Sequence, residues 1–468
     1  MTKKGDNLAM KRKWDRVMRP ITREQLPYLL LAVAGMIEFL LITLEGQFLG
    51  LGYYLIENYL IVPCLLFLGY TLQKPLPEFS RRRLRLAVVA VSWFVIVQIV
   101  HRLSDMGNHP MTPVFFVYLM AFPFAALADD RNNTGIRWIG SMFVAASLVL
   151  VAYSALLVLN RVPEMLKDDI YWASMRLRPF WNPNVVACYF MIGIGFTAAF
   201  LAQAKSRLIQ FLLSVAIGVQ LIAMALTNCR TALLLTGTML GACLLLLLLQ
   251  KRNVNLEIHW NGKWKLLILG ILVVSIALAG TFKLSSALYQ KNRGQLFSAQ
   301  QGETGLIIGD DVTQGSLKDD MTTLNNRTKI WKAAISAVRN DSSLALWGTE
   351  YSGTVISRYS PFEIYHAHNS WLEALLRLGI PGLLLSLVFT ALSGWSAVKL
   401  ILNQNVELWK KIIAMMTMCV VIAGFMEPYF FITDTYYHVI DFVFFFSTGY
   451  LDYWRQNMPS QKKLANTD

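Results

Sequence analysis

The sequence predicts an all-α polytopic membrane protein of about 12 transmembrane helices, with one long, partly helical outer loop between spans nine and ten. Three observations predict it. The chain of 468 residues is 55% hydrophobic and only 15% charged, more apolar than a water-soluble core can absorb. Its apolar residues fall into separate runs, each near the roughly 20 residues that a helix needs to cross the hydrocarbon. Lysines and arginines gather in alternate loops, as they do where one side of a membrane is cytoplasmic. The net charge of +14, from 43 basic and 29 acidic residues, therefore reports orientation, and nucleic acid is not an expected partner.

The chain opens with a basic tail, residues 1–26, carrying Lys3, Lys4, Lys11, Arg12, Lys13, Arg16, Arg19 and Arg23. No small-residue cleavage site ends the first apolar run, which reads as an uncleaved anchor. Nine spans are expected in 27–282, near 27–45, 48–72, 85–103, 111–128, 138–159, 184–203, 207–227, 231–249 and 264–282. The outer loop follows at 283–370. Residues 371–454 hold the last three spans, with apolar runs at 376–398, 411–432 and 436–454, and 455–468 form a second tail. Placing the N-terminus inside puts Arg81–Arg83, Arg131, Lys205, Arg207, Lys251, Arg252, Lys399, Lys410 and Lys411 on the cytoplasmic side. The turn from Glu427 to Tyr437, expected outside, holds no basic residue. Both termini are thus expected in the cytoplasm.

Polar groups within the apolar runs are few. Glu38, Glu57 and Asp441 are costly in lipid and should face the bundle. The five cysteines, Cys64, Cys188, Cys229, Cys243 and Cys419, lie in or beside apolar runs without a CxxC pair, as small core residues do.

The long outer loop is the informative departure, because loops of this length inside compact proteins usually carry function. Its first half is polar and Gly-rich. In its second half, after Asn325-Asn326, Ile330, Trp331, Ala334, Ile335 and Val338 fall on one helical face. That helix should lie over the bundle and end before Asp341-Ser342-Ser343.

Four local patterns stand out: Phe180-Trp181-Asn182-Pro183-Asn184 before span six, and Thr227-Asn228-Cys229-Arg230-Thr231-Ala232 before span eight. The others are Asn326-Arg327-Thr328-Lys329-Ile330-Trp331 in the loop, and His366-Ala367-His368-Asn369-Ser370 followed by Leu378-Gly379-Ile380-Pro381-Gly382. In this order, over residues 180–400, the chain resembles the O-antigen ligase and polysaccharide polymerase superfamily of membrane glycosyltransferases. One departure is Cys229, where the family usually has a small hydroxyl residue before the arginine. The resemblance implies a cofactor-free reaction on the outer face of the cytoplasmic membrane. A glycan on a polyprenyl-pyrophosphate donor passes to a hydroxyl of a glycan or glycolipid acceptor. It also singles out His368, the histidine next to the asparagine.

The residue types suit that chemistry. Spans six, eight and ten run inward, so their N-termini present free N–H groups and partial positive charge to the outer leaflet, where a phosphate would sit. Asn182-Pro183 reads as a cap followed by proline at the first helical position, with Asn184 beside it. Asn369-Ser370 reads as a second cap. Arg230, Arg327 and Arg178 are candidates for the pyrophosphate, through bidentate, permanently charged contacts. His368, with His366 orienting it or touching the glycan, is the candidate general base. If the approach to span ten is extended, both rings point to one side and Ala367 to the other. The plainer readings are an interfacial anchor for Arg178, a solvated first-turn residue for Arg327, and a helix-end or headgroup contact for Arg230. A metal held by His366, His368 and Glu363 lacks a third histidine, so a metal-independent reaction is expected. The competing class is a flippase-like transporter of a lipid-linked glycan. Such proteins tend to show internal repeats, whereas this chain is lopsided about its one long loop. Ligase and polymerase share donor chemistry, and the sequence does not separate them.

Overall fold

In a computed structural model, the described residues are 25–48, 78–104, 132–158, 172–173, 176–177, 183–227, 229–251, 327–360, 364, 366–429 and 438–458. The expected spans at 48–72, 111–128 and 264–282 lie outside them, as do Glu57, Cys64, Arg178, Asn182 and Glu363.

The described chain is helical almost throughout. In order it forms α1 (Leu26–Phe48), α2 (Glu78–Leu103), α3 (Thr134–Val158), α4 (Pro183–Gln203), α5 (Arg207–Leu226) and α6 (Arg230–Lys251). Three helices of the long loop follow: α7 (Arg327–Asn340), α8 (Ser342–Trp347) and α9 (Ser352–Ser357). The chain then completes α10 (Ser370–Leu402), α11 (Leu408–Ala423) and α12 (His438–Gln456). One small departure from an all-α chain precedes α4. Strands β1 (Trp172–Ala173) and β2 (Arg176–Leu177) pair antiparallel, with Trp172 opposite Leu177. Four helices are long and apolar enough to cross a membrane by length and composition: Thr134–Leu156, Pro183–Gln203, Arg207–Leu226 and Ser370–Leu402. The chain is a multi-pass membrane protein.

The bundle is built around α4, whose residues from Val185 to Ala199 are all buried. Small residues make this possible. A Cβ at Gly193 would stand 2.4 Å from Ser147 Oγ on α3, and one at Gly195 2.6 Å from Met416 on α11. Between α3, α4 and α5 a buried polar cluster replaces apolar packing. The Ser147 hydroxyl donates to Gln220 Oε1 at 2.8 Å, and Gln220 Nε2 donates to Thr197 Oγ1 at 3.1 Å. Such interhelical hydrogen bonds and small-residue contacts hold helices together where lipid offers no hydrophobic drive. Asp441 is fully buried on α12, facing the bundle as its cost in lipid requires. Cys188, Cys229, Cys243 and Cys419 are buried, as expected of small core residues.

Among the helix boundaries that differ from expectation, two shape the site. Span eleven was expected to run to residue 432, but α11 stops at Ala423. Pro428 cannot continue a helix and disfavours helical backbone at the residue before it, so Gly424 to Glu427 form a turn. Span ten starts earlier than 376, because Asn369 caps the helix there and accepts the N–H groups of Trp371 and Leu372, both at 3.0 Å. The Gly-Ile-Pro-Gly sequence then breaks α10 at Gly379, whose non-helical backbone kinks the chain and opens a second helical segment.

The kink is where the loop helices dock. Gly379 has φ 68°, and a Cβ there would stand 2.1 Å from the Leu346 carbonyl oxygen of α8. Gly348, at φ 73°, approaches the backbone of Arg377 and Leu378 as closely. The Thr349 N–H donates to the Leu376 carbonyl at 2.8 Å. From α2, Trp93 stacks on Trp347 with centroids 5.5 Å apart and donates from Nε1 to the Leu378 carbonyl at 3.0 Å. His101 Nε2 lies 2.9 Å from the Trp347 carbonyl. Loop, α2 and α10 thus meet at one backbone-to-backbone contact that only glycine permits.

Candidate active site

The helix ends explain why the site forms where it does. The Ser370 N–H donates to the Gly424 carbonyl at 2.8 Å, and Asn369 Nδ2 to the Phe425 carbonyl at 3.2 Å. The start of α10 is therefore fastened to the turn that ends α11. The Tyr429 hydroxyl donates to the Asn184 carbonyl at 2.9 Å, bringing the start of α4 to the same place. Cys419, near the end of α11, lies 3.6 Å through Sγ from the carbonyl of Leu235, early in α6. Three helix N-termini, those of α4, α6 and α10, thus share one end of the bundle. α7 begins with Arg327, and that side chain reaches the same end.

The histidine segment is pinned through its middle residue. Ala367 is fully buried; its N–H donates to Glu373 Oε2 at 2.8 Å, and its carbonyl accepts Trp331 Nε1 at 3.1 Å. Glu373, also fully buried, accepts Ser352 Oγ and Arg377 Nε on its other oxygen, each at 2.6 Å. These contacts tie the segment to α7, α9 and α10 at once. His366 and His368 project away from that clamp, with ring centroids 4.1 Å apart. They share a side as expected, though not by extended geometry. His368 takes the left-handed conformation at φ 49°, which turns its own N–H onto His366 Nδ1 at 3.3 Å.

Glu427 is the hub, and sequence reasoning missed it. It is 2% exposed and lies in the turn between α11 and α12. Its Oε1 accepts Arg327 Nη2 at 2.7 Å and also Asn184 Nδ2; its Oε2 lies 3.2 Å from His368 Nδ1. Burial pushes this carboxyl up. The hydrogen bond and charge of His368, with Arg327 and His366, outweigh burial and hold it at about 2. It is therefore ionised across the working pH range. Burial, with His368 beside it, lowers His366 to about 4 despite the opposing Glu427 and Glu373 carboxylates. His366 is accordingly neutral near pH 7, and its Nδ1, accepting a backbone N–H, leaves the proton on Nε2.

Of the expected residues, His366, His368, Arg327, Asn184 and Asn369 converge on this cluster. Arg230 is the first residue of α6 and exposed. Arg178 and Asn182 lie outside the described residues, as does Glu363. Ligand atoms of His366, His368 and Glu427 come within 4.8 Å of one another, a spacing compatible with a metal ion. Arg327 takes only Oε1 of that carboxylate, and His368 Nδ1 faces Oε2. Arg327 has a donor in reserve: its Nε is buried without a hydrogen-bond partner among the described residues.

The cluster thus combines a cationic guanidinium, two imidazoles and two helix N-termini, that of α10 capped by Asn369, a set that suits phosphate binding and proton transfer from a hydroxyl. No curated protein matches the chain. Residues 213–387 match the family model described as O-Antigen ligase, a segment that runs from α5 through the long loop into α10 and carries both histidines and Arg327. That match supports the O-antigen ligase-related superfamily for this chain, and with it a membrane glycosyltransferase-like function in building the cell envelope.

Proposed function

We propose that the protein transfers a glycan from a polyprenyl-pyrophosphate carrier to a hydroxyl of a glycan or glycolipid acceptor, without metal or cofactor, on the outer face of the cytoplasmic membrane. The observation that carries this reading is the meeting of Arg327, His366 and His368 at the N-terminal ends of α4 and α10. The acceptor oxygen bonds to the anomeric carbon as the bond from that carbon to the pyrophosphate oxygen breaks. The acceptor proton passes to His368. The pyrophosphate leaves with its charge held by Arg327 and Arg230, with Arg178 as a further contact, and by the helix ends that Asn182, Asn184 and Asn369 support. His366, neutral and carrying its proton on Nε2, donates a hydrogen bond to the glycan. The basic inner loops support two cytoplasmic termini and an outward-facing site.

Substitution at Arg230 tests the donor assignment. Arg230→Lys keeps charge but loses the planar fork, so its turnover should fall almost as far as that of Arg230→Ala. Loss of a charge-assisted contact corresponds to about ten- to hundredfold. Normal turnover of a well-expressed Arg230→Ala protein in a purified transfer assay removes Arg230 from the pyrophosphate site.

A further inference from the structure

We infer that Glu427 is the positioning residue of this site: its carboxylate fixes the proton of His368 on Nδ1 and leaves the Nε2 lone pair for the acceptor hydroxyl. The inference rests on the reading of His368 as the base. An ionised carboxylate only accepts hydrogen bonds, so each of its partners must donate. Arg327 Nη2 and Asn184 Nδ2 do so at Oε1, which leaves His368 Nδ1–H as the donor to Oε2, 3.2 Å away. The other tautomer would set a nitrogen lone pair against a buried carboxylate oxygen. When His368 takes the acceptor proton, the imidazolium forms beside a negative charge already in place, which costs no reorganisation at that moment.

The position of Glu427 is set independently of this side-chain contact. Its carbonyl accepts the Ser370 hydroxyl at 3.2 Å, while Ser370 Oγ accepts the Tyr429 N–H at 3.0 Å. Pro428 ends the helix just there. The backbone is thus stitched to the start of α10, and the carboxylate is free to act on the imidazole and the guanidinium. The charged and titratable groups around the histidine pair are Glu427, Arg327, Glu373 and Arg377. Among the described residues, only Glu427 hydrogen-bonds the His368 ring.

Two measurements on the purified full-length protein test this. The first follows kcat and KM, with a polyprenyl-pyrophosphate-linked oligosaccharide as donor and a glycan acceptor. Glu427→Gln should lower kcat by roughly ten- to hundredfold, the usual weight of a charge-assisted hydrogen bond. The donor KM should change little, because Arg327 remains. Glu427→Asp, which keeps the charge, should restore part of kcat. The second measurement needs no Glu427 variant and stands if Glu427→Gln does not fold: ¹⁵N spectra of histidine-labelled protein at pH 8, with His368 assigned by its absence in His368→Gln. The expected signature is a protonated Nδ1 and an unprotonated Nε2. A kcat unchanged in Glu427→Gln, or a His368 protonated on Nε2, overturns the inference. An active His368→Ala protein instead removes the base reading on which it rests, and the two failures are thereby distinct.

Discussion

His368→Ala is expected to lower glycan transfer by about a hundred- to ten-thousandfold, the usual loss when a general base is removed. Donor binding and membrane insertion should persist, because Arg327 and the helix caps do not depend on the imidazole. His366→Ala should be milder. That ring is neutral near pH 7 and its Nδ1 is engaged by the backbone, so it is placed to contact the glycan rather than to exchange a proton. Kinetics of both variants with purified donor and acceptor decide the roles. An active His368→Ala beside a dead His366→Ala reverses them. Activity in both places the base elsewhere.

Gly379→Ala is expected to cost about 3 kcal/mol or more of stability, read as a fall in Tm of the detergent-solubilised protein. Two effects act together. With φ 68° and ψ −171°, the backbone lies in a region that is essentially glycine-only and costs an L-residue about 1–3 kcal/mol. The added Cβ would also meet the Leu346 carbonyl oxygen at 2.1 Å, and neither backbone can yield cheaply. The loop helices should loosen from α10, and transfer should fall with them, because Ala367 and Arg327 are positioned through that loop. Gly218→Ala on α5, where nothing lies within 4 Å of the new Cβ, is the matched control and should be near neutral. A wild-type Tm for Gly379→Ala contradicts the docking contact.

What the sequence made legible was local. Pro183 at the first turn of α4, Asn369 as a cap, the α7 face of Ile330, Trp331, Ala334 and Val338, and the start of α6 beside Arg230 follow from short-range rules, and the structure places each there. Ile335, expected on the same α7 face, is exposed instead. What it hid was long-range. Glu427 meets His368 from 59 residues away, Arg327 from 100 and Asn184 from 243, and no periodicity reports such partners. One signal was available: Glu427-Pro428 inside an apolar run, where an ionised acid needs a partner and proline ends a helix. Reading span eleven through to residue 432 passed over both. Glu373 was hidden in the same way, since its partners Ser352 and Ala367 come from the long loop. The left-handed turn at His368 likewise has no sequence marker, because a non-glycine residue adopts it only when its surroundings impose it.

The most direct test of the proposed reaction is the mass of the product made by purified protein in liposomes, given a polyprenyl-pyrophosphate-linked oligosaccharide and a candidate acceptor. A glycosyltransferase yields an acceptor heavier by the mass of the glycan, with one polyprenyl pyrophosphate released for each transfer. A donor that crosses the bilayer with its mass unchanged, with no heavier acceptor formed, contradicts the transferase reading and identifies a transporter.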